Sequence, residues 1–158
     1  MTNILFTPYT LGDLTLPNRM VMAPMTRNRA DENGVPKPMT ATYYAQRATA
    51  GLLITEATQV SEKASGYMFT PGVYAEDQAR GWRAVTDAVH DKGGRIFNQI
   101  WHTGRVSHPS LQPSGSDPIA PSAIQADTMV FTPNGFEPAT QPRVLAIDEI
   151  PAIVSQFA

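Results

Sequence analysis

Three stretches of this sequence run from apolar residues into polar groups that can do chemistry. Arg19-Met20-Val21-Met22-Ala23-Pro24-Met25-Thr26-Arg27 stops at a proline, and a hydroxyl and a cation follow at once. Leu52-Leu53-Ile54-Thr55-Glu56-Ala57-Thr58 ends in a carboxylate and a hydroxyl, and Ile96-Phe97-Asn98-Gln99-Ile100-Trp101-His102 ends in an amide, an indole and an imidazole. An apolar run of strand length that opens into polar groups at its C-terminal end is how a buried strand of a parallel α/β sheet reads when a ligand sits at that rim.

Taken singly, each polar residue has a local reading. Thr26 suits a turn whose hydroxyl satisfies nearby backbone. Gln99 is an amide inside an apolar strand. Buried and unpaired it would cost about 1–3 kcal/mol, so it needs a partner from a neighbouring loop or from a ligand. Trp101 suits a core, the commoner fate of an aromatic. His102, His108 and Glu56 match no zinc-ligand spacing, so no metal is expected. His90 falls on the polar face of a helical stretch and is expected in solvent, while Arg27, Arg29 and Arg105 are candidates for structural ion pairs. The eleven glycines contain no dinucleotide or P-loop pattern, so a Rossmann or Walker site is excluded.

The elements that must position these groups follow from periodicity and turn residues. Residues 9–16 alternate around Gly12-Asp13 and predict a small hairpin. Strands are predicted at 19–24, 52–57 and 95–101, with a helix capped by Thr40 before Gly51 and a second helix over 78–92 before Gly93-Gly94. Strand starts lie about 30–45 residues apart, the size of βαβ units. The stretch 103–147 holds seven of the fourteen prolines and five charged residues. So long an excursion reads as a lid over the site, with a hairpin around Asn134-Gly135. A last helix is expected from a cap at Asp148, with Pro151 in its first turn and Ile150, Ile153, Val154 and Phe157 on one face.

Composition narrows the class. At 158 residues, with 42% hydrophobic residues and a net charge of −2, the chain reads as soluble and globular. A pI near 5.9 without a basic cluster argues against nucleic acid and anionic membranes as partners. Without cysteine there are no disulfides and no thiolate chemistry. Neither a signal peptide nor an apolar run of membrane-spanning length is evident, so a cytoplasmic location is expected.

The motifs Ala23-Pro24-Met25-Thr26-Arg27, Glu56-Ala57-Thr58 and Gln99-Ile100-Trp101-His102-Thr103-Gly104-Arg105 resemble the Old Yellow Enzyme family of flavin-dependent ene-reductases, in particular its bacterial alkene- and nitro-reducing branch. Tyr43-Tyr44-Ala45-Gln46-Arg47-Ala48 and Thr70-Pro71-Gly72 fit the same pattern, so the likeness runs nearly end to end. The resemblance implies an α/β fold, the first half of a TIM (β/α)8 barrel, with residues 1–158 the N-terminal part of one flavin-binding domain and the chain ending within the third barrel helix. It implies FMN, NADPH or NADH as reductant, and reduction of activated C=C bonds in enones, enals, nitroalkenes and imides. Ala23, Pro24, Met25, Thr26, Ala57 and Gln99 would bind the flavin. Thr26 would hydrogen-bond its C4 carbonyl, and Gln99 would hold its pyrimidine edge. Thr26, Tyr67 and Trp101 would line the substrate pocket. The family's substrate-oxygen pair, its proton-donor Tyr and its phosphate grip lie on later strands, so no catalytic residue is expected within 1–158 and a complementary C-terminal half is expected as partner. A small three-layer α/β domain complete in itself is the other fold. A non-catalytic module that associates through exposed sheet edges is the other function.

Overall fold

The computed structural model describes residues 3–158. Tyr9–Leu11 (β1) and Leu14–Leu16 (β2) pair antiparallel, turned by Gly12 at a φ of 57°, a left-handed conformation that glycine adopts without cost from a Cβ. Then come Val21–Met22 (β3), Pro38–Ala45 (α1), Leu52–Ile54 (β4), Thr58–Gln59 (β5), Glu76–His90 (α2), Ile96–Phe97 (β6) and Ile100–Trp101 (β7). β3, β4 and β6 form a parallel sheet in that order, and β5 pairs parallel with β7 beyond it.

The second and third predicted strands are therefore each interrupted, at 55–57 and at 98–99. Their register survives the break. Thr55 N–H donates to Phe97 O at 2.9 Å and Thr58 N–H to Gln99 O at 2.8 Å. Between these two bonds the ladder gives way to side chains, and that is where the site is built.

Both helices start earlier than their periodicity predicts. Pro38 occupies the first turn of α1, where a missing N–H costs nothing, so Thr40 lies inside the helix, buried, and Lys37 stands at the cap position. In α2 the buried Gln78 accepts from Tyr74 N–H and Ala75 N–H, both at 3.1 Å, so a side chain in the third position satisfies the free amides at the helix start. Its end comes at Gly93, φ 73°, with Gly94 N–H returning to Val89 O at 3.0 Å.

α1 and α2 pack together over β4. Tyr44, Ala48, Leu53, Trp82, Val85 and Val89 form the core, flanked by Met22 and Ile96. Met22, Leu53 and Ile96 share one register line, so the pleat sends all three towards the helices. Trp82 Nε1–H donates to Gly72 O at 3.1 Å, which satisfies the one polar atom of a buried indole. The other face of the sheet is open at its two flanking strands, while Leu52 of the central strand is buried there. Val21, one residue out of phase with Met22, is 51% exposed and Phe97 is 50% exposed.

The proline-rich excursion is pinned rather than loose. Ser107 Oγ and Gln112 Nε2 both donate to Ser65 O, at 2.7 and 2.6 Å. Ile119–Ala120 (β8) pairs parallel with Arg143–Val144 (β11), and between them Met129–Thr132 (β9) and Gly135–Pro138 (β10) form an antiparallel hairpin. A 3₁₀ turn then leads into Ile150–Ser155 (α3) with Pro151 in its first turn. Glu149, not Asp148, anchors this start. Its carboxylate takes a two-pronged bond from Arg143 at 2.7 and 2.8 Å and a third from Ala146 N–H, which together hold its pKa down at about 2.

Candidate functional site

The polar groups at the strand ends are tied to one another by two buried side chains. Thr55 is 1% exposed, and its hydroxyl accepts Gln99 N–H at 3.1 Å; its own proton serves Asn98 Oδ1 or Glu56 O, both 2.8 Å away. Glu56 is 3% exposed, and its Oε2 accepts Arg27 N–H at 3.1 Å. One side chain thus locks the end of the second strand to the third, and the next locks it to the first. Strand ends that would otherwise splay are held in one rim.

Glu56 is held in turn by α1. Its backbone N–H donates to Tyr44 Oη at 2.7 Å. The neighbouring Tyr43 ring is flanked by the guanidinium of Arg27 at 3.6 Å and that of Arg47 at 3.7 Å. Burial pushes the Glu56 carboxyl above its ordinary pKa, opposed by the bond from Arg27 N–H and by the Arg27 charge. The Tyr44 phenol is raised as well, chiefly by burial. Arg27, Arg29, Met39, Thr40, Tyr43 and Glu56 enclose a cavity of about 80 Å³.

Thr26, Ala23 and Met25 lie exposed just past β3, Pro24 is half-buried, and Ala57 is buried between β4 and β5. Gln99 differs from its expected state. It is exposed at the rim rather than enclosed, because the sheet is interrupted there and its outer face is uncovered. Neither Thr26 Oγ1 nor the Gln99 amide makes a hydrogen bond within the described residues, so neither is used up as a turn hydroxyl or a loop anchor.

Tyr67 and Trp101 stack with ring centroids 5.5 Å apart and planes 18° apart, so the two aromatics expected near one another form one wall. Tyr67 is placed there by Thr70, whose hydroxyl donates to Tyr67 O at 2.9 Å and accepts from Gln59 Nε2 at 2.5 Å. Phe69 sits between them at a φ of 57°, a left-handed turn unusual for a bulky residue. This loop borders an open groove of about 600 Å³ lined by Gln59, Tyr67, Thr70, Gln78 and Gln112 among others. Trp101 Nε1 is buried without a partner.

His102 accepts Gly104 N–H at Nδ1 (3.0 Å), so its proton resides on Nε2, which is buried without a partner; burial holds its pKa below the ordinary value. Among the described residues no group of three His, Cys, Asp or Glu side chains gathers in metal-binding fashion, and no helix is long and apolar enough to cross a membrane. The three arginines expected in ion pairs are used otherwise. Arg27 stacks on Tyr43, Arg29 donates to the carbonyls of Arg27 and Asn28, and Arg105 donates to Ile124 O and Ser122 Oγ. The ion pairs among the described residues belong to Arg80 and Arg143.

Thr55, Glu56 and Thr70 tie the strand ends and the aromatic pair together, and residue-by-residue reading gave none of them that part. The signal was present for two of them: adjacent polar residues inside an apolar strand must find partners, and the partners are the rim itself.

Relatives share both the sequence and the fold. The chain is 47% identical over 154 residues to 12-oxophytodienoate reductase 1 of Oryza sativa subsp. japonica, covering 97% of this chain and 39% of the relative. It is 44% identical over 156 residues to 12-oxophytodienoate reductase 2 of Arabidopsis thaliana, covering 97% of this chain and 41% of that one. Morphinone reductase solved in complex with tetrahydroNAD superposes with a TM-score of 0.92 at 49% identity, over 99% of this chain and 44% of that one. The old yellow enzyme homologue of Zymomonas mobilis superposes with a TM-score of 0.93 at 44% identity, over 98% and 43%. The chain thus spans about two fifths of the length of these relatives. Residues 4–158 match the NADH:flavin oxidoreductase / NADH oxidase family, and the chain belongs to that family of FMN-dependent oxidoreductases.

Proposed function

We propose that residues 1–158 are the N-terminal part of one flavin-binding TIM-barrel domain, and that the complete protein reduces activated C=C bonds of enones, enals, nitroalkenes and imides with NADPH or NADH. A complementary C-terminal half of the barrel covers the open sheet face and brings the groups that grip the flavin phosphate and polarise the substrate oxygen. The excursion 103–147 serves as a lid. The relatives' names support ene-reduction, and the tetrahydroNAD bound to morphinone reductase supports a nicotinamide reductant.

The observation that carries this reading is the pair of unspent groups at the rim. Thr26 offers a hydroxyl donor and Gln99 a donor and an acceptor together; Thr26 is held through the N–H of the next residue, Arg27, and Gln99 through its own backbone N–H. That donor set fits the pyrimidine edge of a flavin. The small side chain of Ala57 leaves room for a ring to lie close to the backbone. FMN, when bound, supplies hydride transfer from nicotinamide to alkene. Thr26 would donate a hydrogen bond to the ring and favour its reduced form, Gln99 would anchor the ring edge, and Tyr67 and Trp101 would wall the substrate pocket and limit water. Val21, Phe97 and Ile100, large and exposed, favour a covering segment whichever activity is assigned.

The test is to produce 1–158 alone and together with a complementary half, then to measure bound FMN and NADPH-driven reduction of 2-cyclohexenone. Both are expected only from the combined protein. A combined protein that is folded yet colourless after FMN titration would defeat the proposal in favour of the binding-module reading.

A further inference from the structure

We propose that Glu56 is a positioning residue for the flavin-facing hydroxyl: by gripping the peptide unit between Thr26 and Arg27 it sets where the Thr26 side chain can reach. The proposal rests on the reading of the site given above. Thr26 is exposed, and without a bond of its own its side chain has no anchor. What is anchored is the next amide. Arg27 N–H donates to Glu56 Oε2 at 3.1 Å, and that N–H belongs to the same rigid peptide plane as the Thr26 carbonyl. Immediately downstream, Asn28 takes a φ of 52°, so the chain turns away sharply after the gripped unit.

The grip is closed from three sides. Glu56 cannot shift along its strand, because its own N–H is bound to Tyr44 Oη at 2.7 Å. Tyr44 is 1% exposed and packs edge-on against Tyr43, ring centroids 5.1 Å apart. Arg27, whose backbone is the gripped group, lays its guanidinium on Tyr43 at 3.6 Å. The chain of contacts returns to where it began. A buried carboxylate is a costly way to satisfy one backbone amide; fixing a backbone unit beside a reacting ring is a use that matches the cost.

The experiment uses the FMN-loaded full-length protein and reads the flavin midpoint potential and the rate of flavin reduction by NADPH for Thr26→Ala, Glu56→Ala, Glu56→Gln and the double variant Thr26→Ala/Glu56→Ala. Thr26→Ala is expected to lower the potential and slow reduction about tenfold or more, the scale of a lost charge-stabilising donor. Glu56→Ala is expected to shift both in the same direction. Glu56→Gln, whose amide oxygen still accepts from Arg27 N–H, is expected to restore most of the effect. The double variant is expected to match Thr26→Ala alone, because Glu56 acts through Thr26. Additive shifts in the double variant, or an unchanged potential in Glu56→Ala, overturn the proposal. An unchanged potential in Thr26→Ala instead overturns the reading of the site itself, and with it this inference. Should Glu56→Ala fail to fold, Glu56→Met fills the same volume without an acceptor and carries the same expectations.

Discussion

The hydroxyl of Thr55 accepts the backbone N–H of Gln99 across the gap where the ladder between the second and third strands is broken. That bond, with its companion to Asn98, bridges the gap between the two backbone bonds that flank it, Thr55 N–H to Phe97 O and Thr58 N–H to Gln99 O. Thr55→Val keeps shape and removes both, at about 0.5–1.5 kcal/mol for each bond lost. Urea unfolding of the full-length protein should show a lower midpoint at an unchanged slope. Thr55→Ser, which retains the hydroxyl, should lose much less. Equal losses in the two variants would mean the bond does not hold the rim.

Gln99 behaves oppositely. It is exposed and makes no side-chain bond within the described residues, so Gln99→Leu should leave the flavin-free protein within about 0.5 kcal/mol of the original stability. The same variant should weaken FMN binding about tenfold, measured by quenching of flavin fluorescence, the loss of roughly one paired donor and acceptor. A change in flavin-free stability with no change in FMN affinity would return Gln99 to an ordinary structural role.

Much of this was legible from residue types. The three apolar runs, the two helices between them and the hairpin around Asn134-Gly135 follow from periodicity and turn chemistry, and they occur in that order, though both helices begin earlier and two strands are interrupted. What was not legible has physical causes. Thr40 and Asp148 look like caps, but Pro38 and the Arg143–Glu149 fork decide those helix starts, and a fork between residues six apart has no periodic signature. Interruption of the strands at Thr55–Ala57 and Asn98–Gln99 depends on side chains replacing backbone bonds between strands, a long-range event invisible in a window of ten residues. Arg27 on Tyr43 likewise replaced an expected ion pair: its guanidinium lies on the ring while its backbone N–H takes Oε2 of Glu56.

His102 predicts an acid limb in stability. Burial lowers its folded-state pKa, and Nδ1 already accepts from Gly104 N–H, so a proton there would face another N–H. Between the lowered folded value and the ordinary value of 6.5 the unfolded chain binds more protons than the folded one. Stability therefore rises with pH through that window and is lost as pH falls below it. Glu56 acts with opposite sign above 4.5: its raised folded value means the folded state holds more protons, so stability falls as pH rises from 4.5 through the folded value. Melting temperatures taken from pH 7.5 down to pH 5 should decline, and His102→Gln should flatten that decline. A variant that melts in parallel with the original across the range would remove His102 from the account.

Thr70 governs the aromatic wall without belonging to it. Its hydroxyl bridges Gln59 Nε2 and Tyr67 O, and both Thr70 and Gln59 are buried, so neither has water as an alternative partner. Thr70→Val keeps the volume and breaks the bridge. The loop carrying Phe69 at positive φ is then free to relax, and Tyr67 loses the constraint that lays it on Trp101. Because the wall faces substrate in the proposed site, kcat/KM for a bulky enone should fall about tenfold, mostly through KM. Flavin affinity should not change, since Thr70 is remote in sequence from the rim groups and bonded to none of them. Trp101→Ala should lower kcat/KM by a similar factor, and adding Thr70→Val to it should do little more, because the stack that Thr70 supports is already gone. If instead the two losses multiply, Thr70 acts on the pocket by a route other than Tyr67.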